Sequence, residues 1–256
     1  MSHLIVKIVK CLSNNYSYII FNPNSKKAIV IDPAEATPVM NEINKLSLEL
    51  NYILITHHHE DHVGGNIELK NKLNCKIVGF SKDAVRIPGI DIKINNNEIF
   101  NFENEEIQLN FSPGHTNGHI FYYFKKNKLA FVGDVVFSLG CGRIFEGNTD
   151  EMYNSVMKIR SLPDETKIYC GHEYTESNLK FCLKYDENNY DLKKRANEVR
   201  KLRGNNLPTI PTTILDEKKS NIFFRCNNES IARKLELEGQ PPIKVFKKLR
   251  ELKDNF

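Results

Sequence analysis

Thr56-His57-His58-His59-Glu60-Asp61-His62 is the stretch of this chain that says most about its fold. It follows the apolar residues 52–55, which have the character of the end of a buried strand. In extended backbone alternate side chains point the same way, so His57 and His59 should face one side while His58 faces the other. The acidic residue and the histidine that close the run follow in a predicted turn. One short loop therefore offers imidazole and carboxylate ligands to two adjacent metal ions, a set that suits zinc, iron or manganese.

Three later segments repeat this arrangement, in which an apolar strand stops at a turn-forming residue and a possible ligand follows. Small residues let the backbone bend sharply and approach a site closely, and sites commonly gather on loops beyond strand ends. The strands and their ligands are residues 107–111 with His115, residues 129–132 with Asp134, and residues 168–170 with His172. The pattern takes in five of the eight histidines but not His3, His58 or His119. This repetition favours one shared metal site over an incidental histidine-rich loop.

The composition is ordinary for a globular chain of 256 residues, with 40% hydrophobic and 27% charged residues. No apolar run approaches the roughly 20 residues of a transmembrane helix. Residues 1–9 have the alternating character of a strand and lack the apolar core of a signal peptide. We therefore predict a cytoplasmic protein with no membrane partner. The six cysteines are widely spaced, which in a cytoplasmic protein predicts free, buried thiols.

The net charge of +4 is only mildly basic. The excess of lysine and arginine lies late in the chain, where most of these residues are predicted to form the solvated faces of helices. Clusters of basic and aromatic residues, which nucleic-acid binders use to hold backbones and stack bases, do not stand out. The sequence therefore predicts no nucleic-acid partner.

The organisation along the chain predicts two domains, residues 1–173 and residues 174–256. The first mixes short strands with helices, and the second is mostly helical with charged outer faces. The predicted strands and helices are residues 5–9, 16–21 and 28–31 as strands, 37–48 and 65–73 as helices, and 176–185, 192–203, 228–236 and 243–252 as later helices. Residues 206–213, which contain two prolines, are predicted to form an extended connector.

The run at residues 56–62, with the three later ligands, resembles the metallo-β-lactamase superfamily of binuclear metal hydrolases. Within it the chain resembles glyoxalase II, the hydroxyacylglutathione hydrolases. The stretches that carry this likeness are residues 57–66, 113–119, 140–143, 170–175, 206–209 and 249–256. The first motif is specific only to the superfamily, whereas Gly140-Cys141-Gly142-Arg143 and the basic tail point to this one family.

The resemblance implies an α+β fold, namely the metallo-β-lactamase-type αββα sandwich followed by a C-terminal helical domain. It also implies two divalent metal ions per chain, with zinc as the first expectation and iron or manganese as alternatives. The ligand set that it implies is His57, His59 and His115 for one ion, Asp61, His62 and His172 for the other, and Asp134 as the bridge.

The resemblance implies the reaction as well. The substrate would be the small-molecule thioester S-D-lactoylglutathione, hydrolysed to D-lactate and glutathione by a metal-bound hydroxide, as in the detoxification of methylglyoxal. The positions that match the family's glutathione-binding residues are Arg143, Tyr174, Arg250 and Lys253. The chain departs from the family at Phe145, where a tyrosine is common. We expect a monomer or a weak homo-oligomer.

The sequence alone does not exclude several other functions. A lactonase or another hydrolase of the superfamily would share the metal ligands. A persulfide dioxygenase would use a single iron and leave His62 and His172 without a role. A nucleic-acid-processing member is suggested only by the basic C-terminal half, and a metal-binding scaffold without catalysis is disfavoured because all seven ligand positions are filled.

Overall fold

The computed structural model of the protein describes residues 4–256. They form two compact units, of which the first runs up to Phe111 and also includes Gly118–Gly133, and the second comprises Ser112–Asn117 and Asp134–Phe256. His3 and the start of the strand predicted from residue 1 lie outside the described residues. The domain boundary after residue 173 stays a prediction.

In its described part, the first unit carries two β-sheets. Their strands are β1 (Ile5–Cys11), β2 (Asn15–Phe21), β3 (Lys27–Ile31), β4 (Glu49–Leu54), β5 (Lys76–Phe80), β6 (Ile92–Ile94), β7 (Ile99–Phe102), β8 (Glu105–Phe111), β9 (Ile120–Phe124) and β10 (Leu129–Gly133). The first sheet has the order β1 to β6, antiparallel from β1 to β3 and parallel from β3 to β6. The second runs β10-β9-β8-β7 within this unit and is antiparallel.

The two sheets of the first unit face each other through aromatic side chains. The rings of Tyr18 and Phe131 are 5.3 Å apart, and those of Phe80 and Phe111 are 5.1 Å apart. The other face of the first sheet is covered by helices, so β2 is buried along its whole length. Burial on both faces explains why these strands are apolar runs rather than alternating ones.

The helices of the first unit are α1 (Ala36–Lys45), α2 (Glu60–Val63) and α3 (Asn66–Leu73). Helix α1 covers the sheet with Val39 and Ile43, which lie one turn apart on its apolar face and are fully buried. The turn predicted at Asp61 and His62 is wrong in detail. These two residues lie in α2, which is a single turn of α-helix. A Cβ atom on Gly64 would lie 2.6 Å from the carbonyl oxygen of Ala34, so α2 packs directly on the loop after β3.

The second unit is mostly helical. Its elements are β11 (Val136–Phe137), β12 (Gly140–Cys141), α4 (Thr149–Arg160), β13 (Lys167–Cys170), α5 (Thr175–Tyr185), α6 (Tyr190–Gly204), β14 (Thr212–Thr213), α7 (Ile214–Ser220), α8 (Glu229–Lys234) and α9 (Pro242–Asp254). Strands β11 and β12 form an antiparallel hairpin. The core includes the ring of Phe223, 6.1 Å from that of Phe181 and 5.6 Å from that of Phe246. These apolar contacts join α5 and α9 through the segment that follows α7.

The predicted elements match the structure within a few residues at their ends, including the four helices predicted after residue 174. The predicted connector at residues 206–213 lies between α6 and α7 and ends in β14. The elements that were not predicted, besides α2, are helices α4 and α7, the β11–β12 hairpin and strands β5, β6, β7, β9 and β14. Helix α4 has a sequence signal, because Asn148 and Glu151 form a reciprocal capping box at its start.

All six cysteines are buried thiols, as the sequence predicts. Burial raises the pKa of the Cys141 thiol to about 11 and that of Cys170 to about 12. Across residues 4–256, no helix is both long and apolar enough to cross a lipid bilayer.

Candidate metal centre

Asp32 organises the histidine loop of the first unit. Its Oδ1 accepts a hydrogen bond from the Thr56 backbone N–H (2.8 Å), and its Oδ2 accepts one from the Thr56 hydroxyl (2.6 Å). The same Oδ2 accepts a hydrogen bond from Nδ1 of His62 (3.1 Å). One buried carboxylate therefore fixes both ends of the run. The sequence analysis did not predict this role for Asp32. The signal was present, because Asp32 directly follows strand β3, as the predicted ligands follow their strands.

Hydrogen bonds hold two histidines of this loop through Nδ1 and turn their Nε2 atoms toward the other predicted ligands. The Thr56 hydroxyl donates to Asp32, so it accepts from Nδ1 of His57 at 3.0 Å. His62 is held in the same way through Nδ1 by Asp32. A histidine fixed through one ring nitrogen presents the other to a metal ion, which is the usual arrangement of metal-binding histidines.

The donor atoms of the first unit converge. Nε2 of His57 lies 3.1 Å from Nδ1 of His59, and Nε2 of His62 lies 3.9 Å from Oδ2 of Asp61. His57 and His62 are fully buried, whereas Asp61 is half-buried and accepts a hydrogen bond from the Asn15 side chain. Imidazole nitrogens and a carboxylate at these separations form a donor set that suits metal ions.

His58 points away from this set, as strand alternation predicts. Its Nδ1 lies 3.2 Å from Oδ2 of Asp83, whose other oxygen accepts a hydrogen bond from Nε of Arg86 at 2.6 Å. His119, which the sequence pattern left out, stacks on the ring of His57 at 4.7 Å. Neighbouring histidines in one loop thus have different surroundings.

In the second unit a carboxylate lies between two imidazoles. Oδ2 of Asp134 is 3.1 Å from Nε2 of His172 and 3.7 Å from Nε2 of His115. Nδ1 of His115 donates to the carbonyl oxygen of Arg143 at 2.9 Å, which again turns Nε2 toward the carboxylate. All three side chains are buried. A carboxylate has two oxygens that accept several bonds, so a side chain between two imidazoles is suited to bridging two metal ions.

Two glycines of the second unit pack closely against neighbouring atoms and so fix the backbone near His115 and Asp134. Gly114 has φ of +136°, and a Cβ atom there would lie 2.6 Å from Cα of Met152 in α4. A Cβ atom on Gly142 would lie 1.9 Å from the carbonyl oxygen of Asp134. Only glycine allows such contacts, so the loops that carry His115 and Asp134 are held against their neighbours.

The predicted substrate residues all lie in the second unit but in different surroundings. Tyr174 stacks on the His172 ring at 4.7 Å, and the exposed ring of Phe145 meets the His115 ring at 5.1 Å. Arg143 is 63% exposed, whereas Arg250 is buried and donates from Nη1 to the carbonyl oxygen of Cys141 at 2.8 Å. Their contribution to substrate binding stays a prediction.

A cationic cluster is formed around the end of α9. Oδ1 of Asp254 lies 2.9 Å from Nη2 of Arg250 and 3.7 Å from Nε of Arg143. Burial lowers the pKa of Lys253, and the neighbouring positive charges of Arg250 and Arg143 lower it further. Three cations near one carboxylate give this cluster an excess of positive charge, which favours an anionic ligand.

Two family models cover nearly the whole chain. Residues 12–172 match the metallo-β-lactamase superfamily, and residues 173–256 match the hydroxyacylglutathione hydrolase C-terminus. The chain is 47% identical to a hydroxyacylglutathione hydrolase of Pelagibacter ubique (strain HTCC1062), over 98% of this chain and 99% of that protein. It is 40% identical to one of Maricaulis maris (strain MCS10), over the full length of both.

Solved structures share the fold at lower identity. The crystal structure of BLEG-1, a B3 metallo-β-lactamase, matches with a TM-score of 0.66 at 21% identity, covering 86% of this chain and 99% of that chain. ETHE1 from Myxococcus xanthus matches with a TM-score of 0.66 at 23% identity, covering 95% of each. The predicted fold class is confirmed. The chain therefore belongs to the hydroxyacylglutathione hydrolase family of metal-dependent enzymes, within the metallo-β-lactamase superfamily.

Proposed function

We propose that this protein hydrolyses the thioester S-D-lactoylglutathione to D-lactate and glutathione. The observation that carries the proposal is the Asp134 carboxylate, which lies 3.1 Å from one buried imidazole and 3.7 Å from another. Such a set is costly to bury unless the groups pair or bind metal. Membership of the hydroxyacylglutathione hydrolase family supports the choice of a glutathione thioester as substrate.

The ligand set of the proposal is the one that the sequence predicts. We propose that the chain binds two divalent ions, with zinc as the first expectation and iron or manganese as alternatives. The ligands are His57, His59 and His115 for one ion, Asp61, His62 and His172 for the other, and Asp134 shared. When divalent ions are bound, such a site supplies activated water and polarises the carbonyl that is attacked.

The chain's own residues hold this chemistry in place. Asp32 and Thr56 fix the rings of His62 and His57 through Nδ1, and the Arg143 carbonyl does the same for His115. Fixed ligands lower the cost of reorganisation when charge develops on the substrate oxygen. The carboxylates of glutathione would be bound by the cluster of Arg143, Arg250 and Lys253, beside the ring of Tyr174. Charge-assisted bonds of this kind orient a substrate.

We propose a cytoplasmic enzyme, active as a monomer or weak homo-oligomer, whose partner is its small-molecule substrate rather than nucleic acid or membrane. Six buried thiols suit a reducing compartment, and the net charge of +4 is modest for a nucleic-acid binder.

The direct test is a comparison of substrates. Protein purified with zinc should hydrolyse S-D-lactoylglutathione faster, by kcat/KM, than a lactoyl thioester without the glutathione carboxylates, a lactone or a β-lactam. Faster turnover of the lactone or the β-lactam would indicate another hydrolase of the superfamily. Oxygen consumption with glutathione persulfide, in iron-loaded protein that lacks thioesterase activity, would indicate the dioxygenase.

Lys253→Ala is expected to raise KM for S-D-lactoylglutathione roughly tenfold and to leave kcat nearly unchanged. A remote carboxylate contact is equally strong in the ground and transition states, and one charge-assisted hydrogen bond contributes about 1.5–3 kcal/mol. Lys248→Ala is the matched control, because it removes the same charge from an exposed position on the same helix. Arg250→Ala is a less specific test, since its guanidinium also donates to the Cys141 carbonyl.

The same variants should differ little with a thioester that lacks the glutathione carboxylates. Equal loss on both substrates in Lys253→Ala would assign the lysine to folding and would remove the cluster from the proposed site.

A further inference from the structure

The β11–β12 hairpin connects the two functional parts of the second unit. It begins two residues after Asp134, the proposed bridging ligand, and ends two residues before Arg143, a proposed substrate residue. Its turn is strained, because Leu139 is a non-glycine residue with φ of +61°. A strained turn keeps its conformation only when its surroundings hold it.

Side chains of helix α7 and the residue after it hold this turn. Oε2 of Glu217 accepts a hydrogen bond from the backbone N–H of Leu139 at 2.9 Å and from Nδ2 of Asn221 at 2.8 Å. Nδ2 of Asn221 lies 3.0 Å from the carbonyl oxygen of Gly140 and 3.3 Å from that of Phe137. Both side chains are fully buried. Two buried side chains about 80 residues away thus bond to backbone groups of the turn.

Helix α5 supports the same turn from another direction. Nδ2 of Asn178 donates to the carbonyl oxygen of Ser138 at 3.1 Å, and Sγ of Cys182 donates to that of Leu139 at 3.1 Å. At the other end, Gly142 donates from its backbone N–H to the carbonyl oxygen of Val135 at 3.2 Å. A shift of the turn would therefore break several buried hydrogen bonds and move both ends of the hairpin.

We propose that Glu217 and Asn221 are positioning residues, which set the places of Asp134 and Arg143 by fixing the hairpin between them. This inference rests on the proposed function, because it assigns those two residues to the metal and the substrate. It gives the C-terminal helices a second role beside substrate binding, namely control of the geometry of a metal ligand.

Glu217→Ala is expected to lower the affinity for zinc, measured by competition with a chromogenic chelator, by about tenfold, the lower end of the range for groups that orient metal ligands. The same variant should lower kcat and raise KM, since it releases both ends of the hairpin. Glu217→Gln should restore most of each property, because an amide oxygen can accept the same two hydrogen bonds. Burial raises the pKa of Glu217, and the positive charge of Arg195 opposes this rise.

The control for stability is Ile231→Ala, which opens a cavity in α8 at a fully buried position that makes none of the hydrogen bonds to the hairpin described above. Even if Ile231→Ala lowers thermal stability as much as Glu217→Ala does, its kcat, KM and zinc affinity should stay near those of the wild type. If Glu217→Ala does not fold, Asn221→Ala and Glu217→Asp provide the same comparison, because each weakens the contact without removing the whole pair.

The inference is overturned if the Glu217 and Asn221 variants lose only stability, as Ile231→Ala does, or if Glu217→Gln is impaired as severely as Glu217→Ala. A wild-type protein without thioesterase activity would refute the proposed function instead, and the comparison of zinc affinities would still test the positioning role.

Discussion

Asp134→Ala is expected to lower kcat for S-D-lactoylglutathione by at least about 10²–10³-fold, the range seen when one electrostatic group of a reacting centre is removed. In the proposed site Asp134 is the one ligand that serves both ions, and it lies between the rings of His115 and His172. Its loss leaves two buried imidazoles without the carboxylate between them. Metal content measured by atomic emission should fall in parallel, because bridging ligands contribute to both ions.

His58→Ala is the matched control for this experiment. His58 belongs to the same histidine run as the proposed ligands but contacts Asp83 at 3.2 Å and points away from the donor set. We expect a small loss of thermal stability, because the buried Asp83 loses one partner and keeps Arg86. Activity and metal content should stay close to those of the wild type. Equal loss of activity in Asp134→Ala and His58→Ala would show that the assignment of ligands within the histidine run is wrong.

Gly142→Ala is expected to lower kcat by on the order of 10²-fold, although it adds only one methyl group. A Cβ atom at this position would lie 1.9 Å from the Asp134 carbonyl oxygen and 3.2 Å from Nδ1 of His115. The backbone must shift by about 1 Å to relieve this contact, and a misplacement of that size in an active site can cost about 10²-fold. Steady-state kinetics together with metal analysis would measure the effect.

Gly204→Ala is the control for the glycine substitution. A Cβ atom on Gly204, the last residue of α6, meets nothing within 4 Å, so this variant should behave as the wild type. If Gly142→Ala and Gly204→Ala have the same kcat, the close approach of Gly142 to Asp134 has no part in placing the carboxylate.

The ligand pattern could be predicted from the sequence because each ligand lies within a few residues of the end of an apolar strand. Strands β8, β10 and β13 end shortly before His115, Asp134 and His172 respectively. Side-chain alternation also separates His58 from its neighbours without any knowledge of tertiary structure. Asp32 follows the same rule after β3, but an aspartate after a strand is also common in turns, so the rule alone does not mark it as part of the site.

The supports of the site could not be predicted, because they join distant parts of the chain. Glu217 and Asn221 contact the hairpin at residues 137–140 across about 80 residues, and no periodic pattern marks such a contact. The contacts of Arg250 could not be predicted from the sequence either. The family resemblance assigned it to the substrate, whereas the structure also shows its buried guanidinium on the Cys141 carbonyl. Residue type and spacing indicate a ligand set, but not the long-range hydrogen bonds that orient it.

Stepwise return of metal to the chelated enzyme tests most directly whether this chain is a binuclear, metal-dependent thioester hydrolase. Protein stripped of metal and dialysed free of chelator would receive zinc in small steps, with bound metal and hydrolysis of S-D-lactoylglutathione measured at each step. We predict that activity keeps rising until about two ions are bound per chain, because a site for two ions would supply both the activated water and the polarisation of the carbonyl. Full activity with one bound ion, and no gain from a second, would contradict the binuclear site.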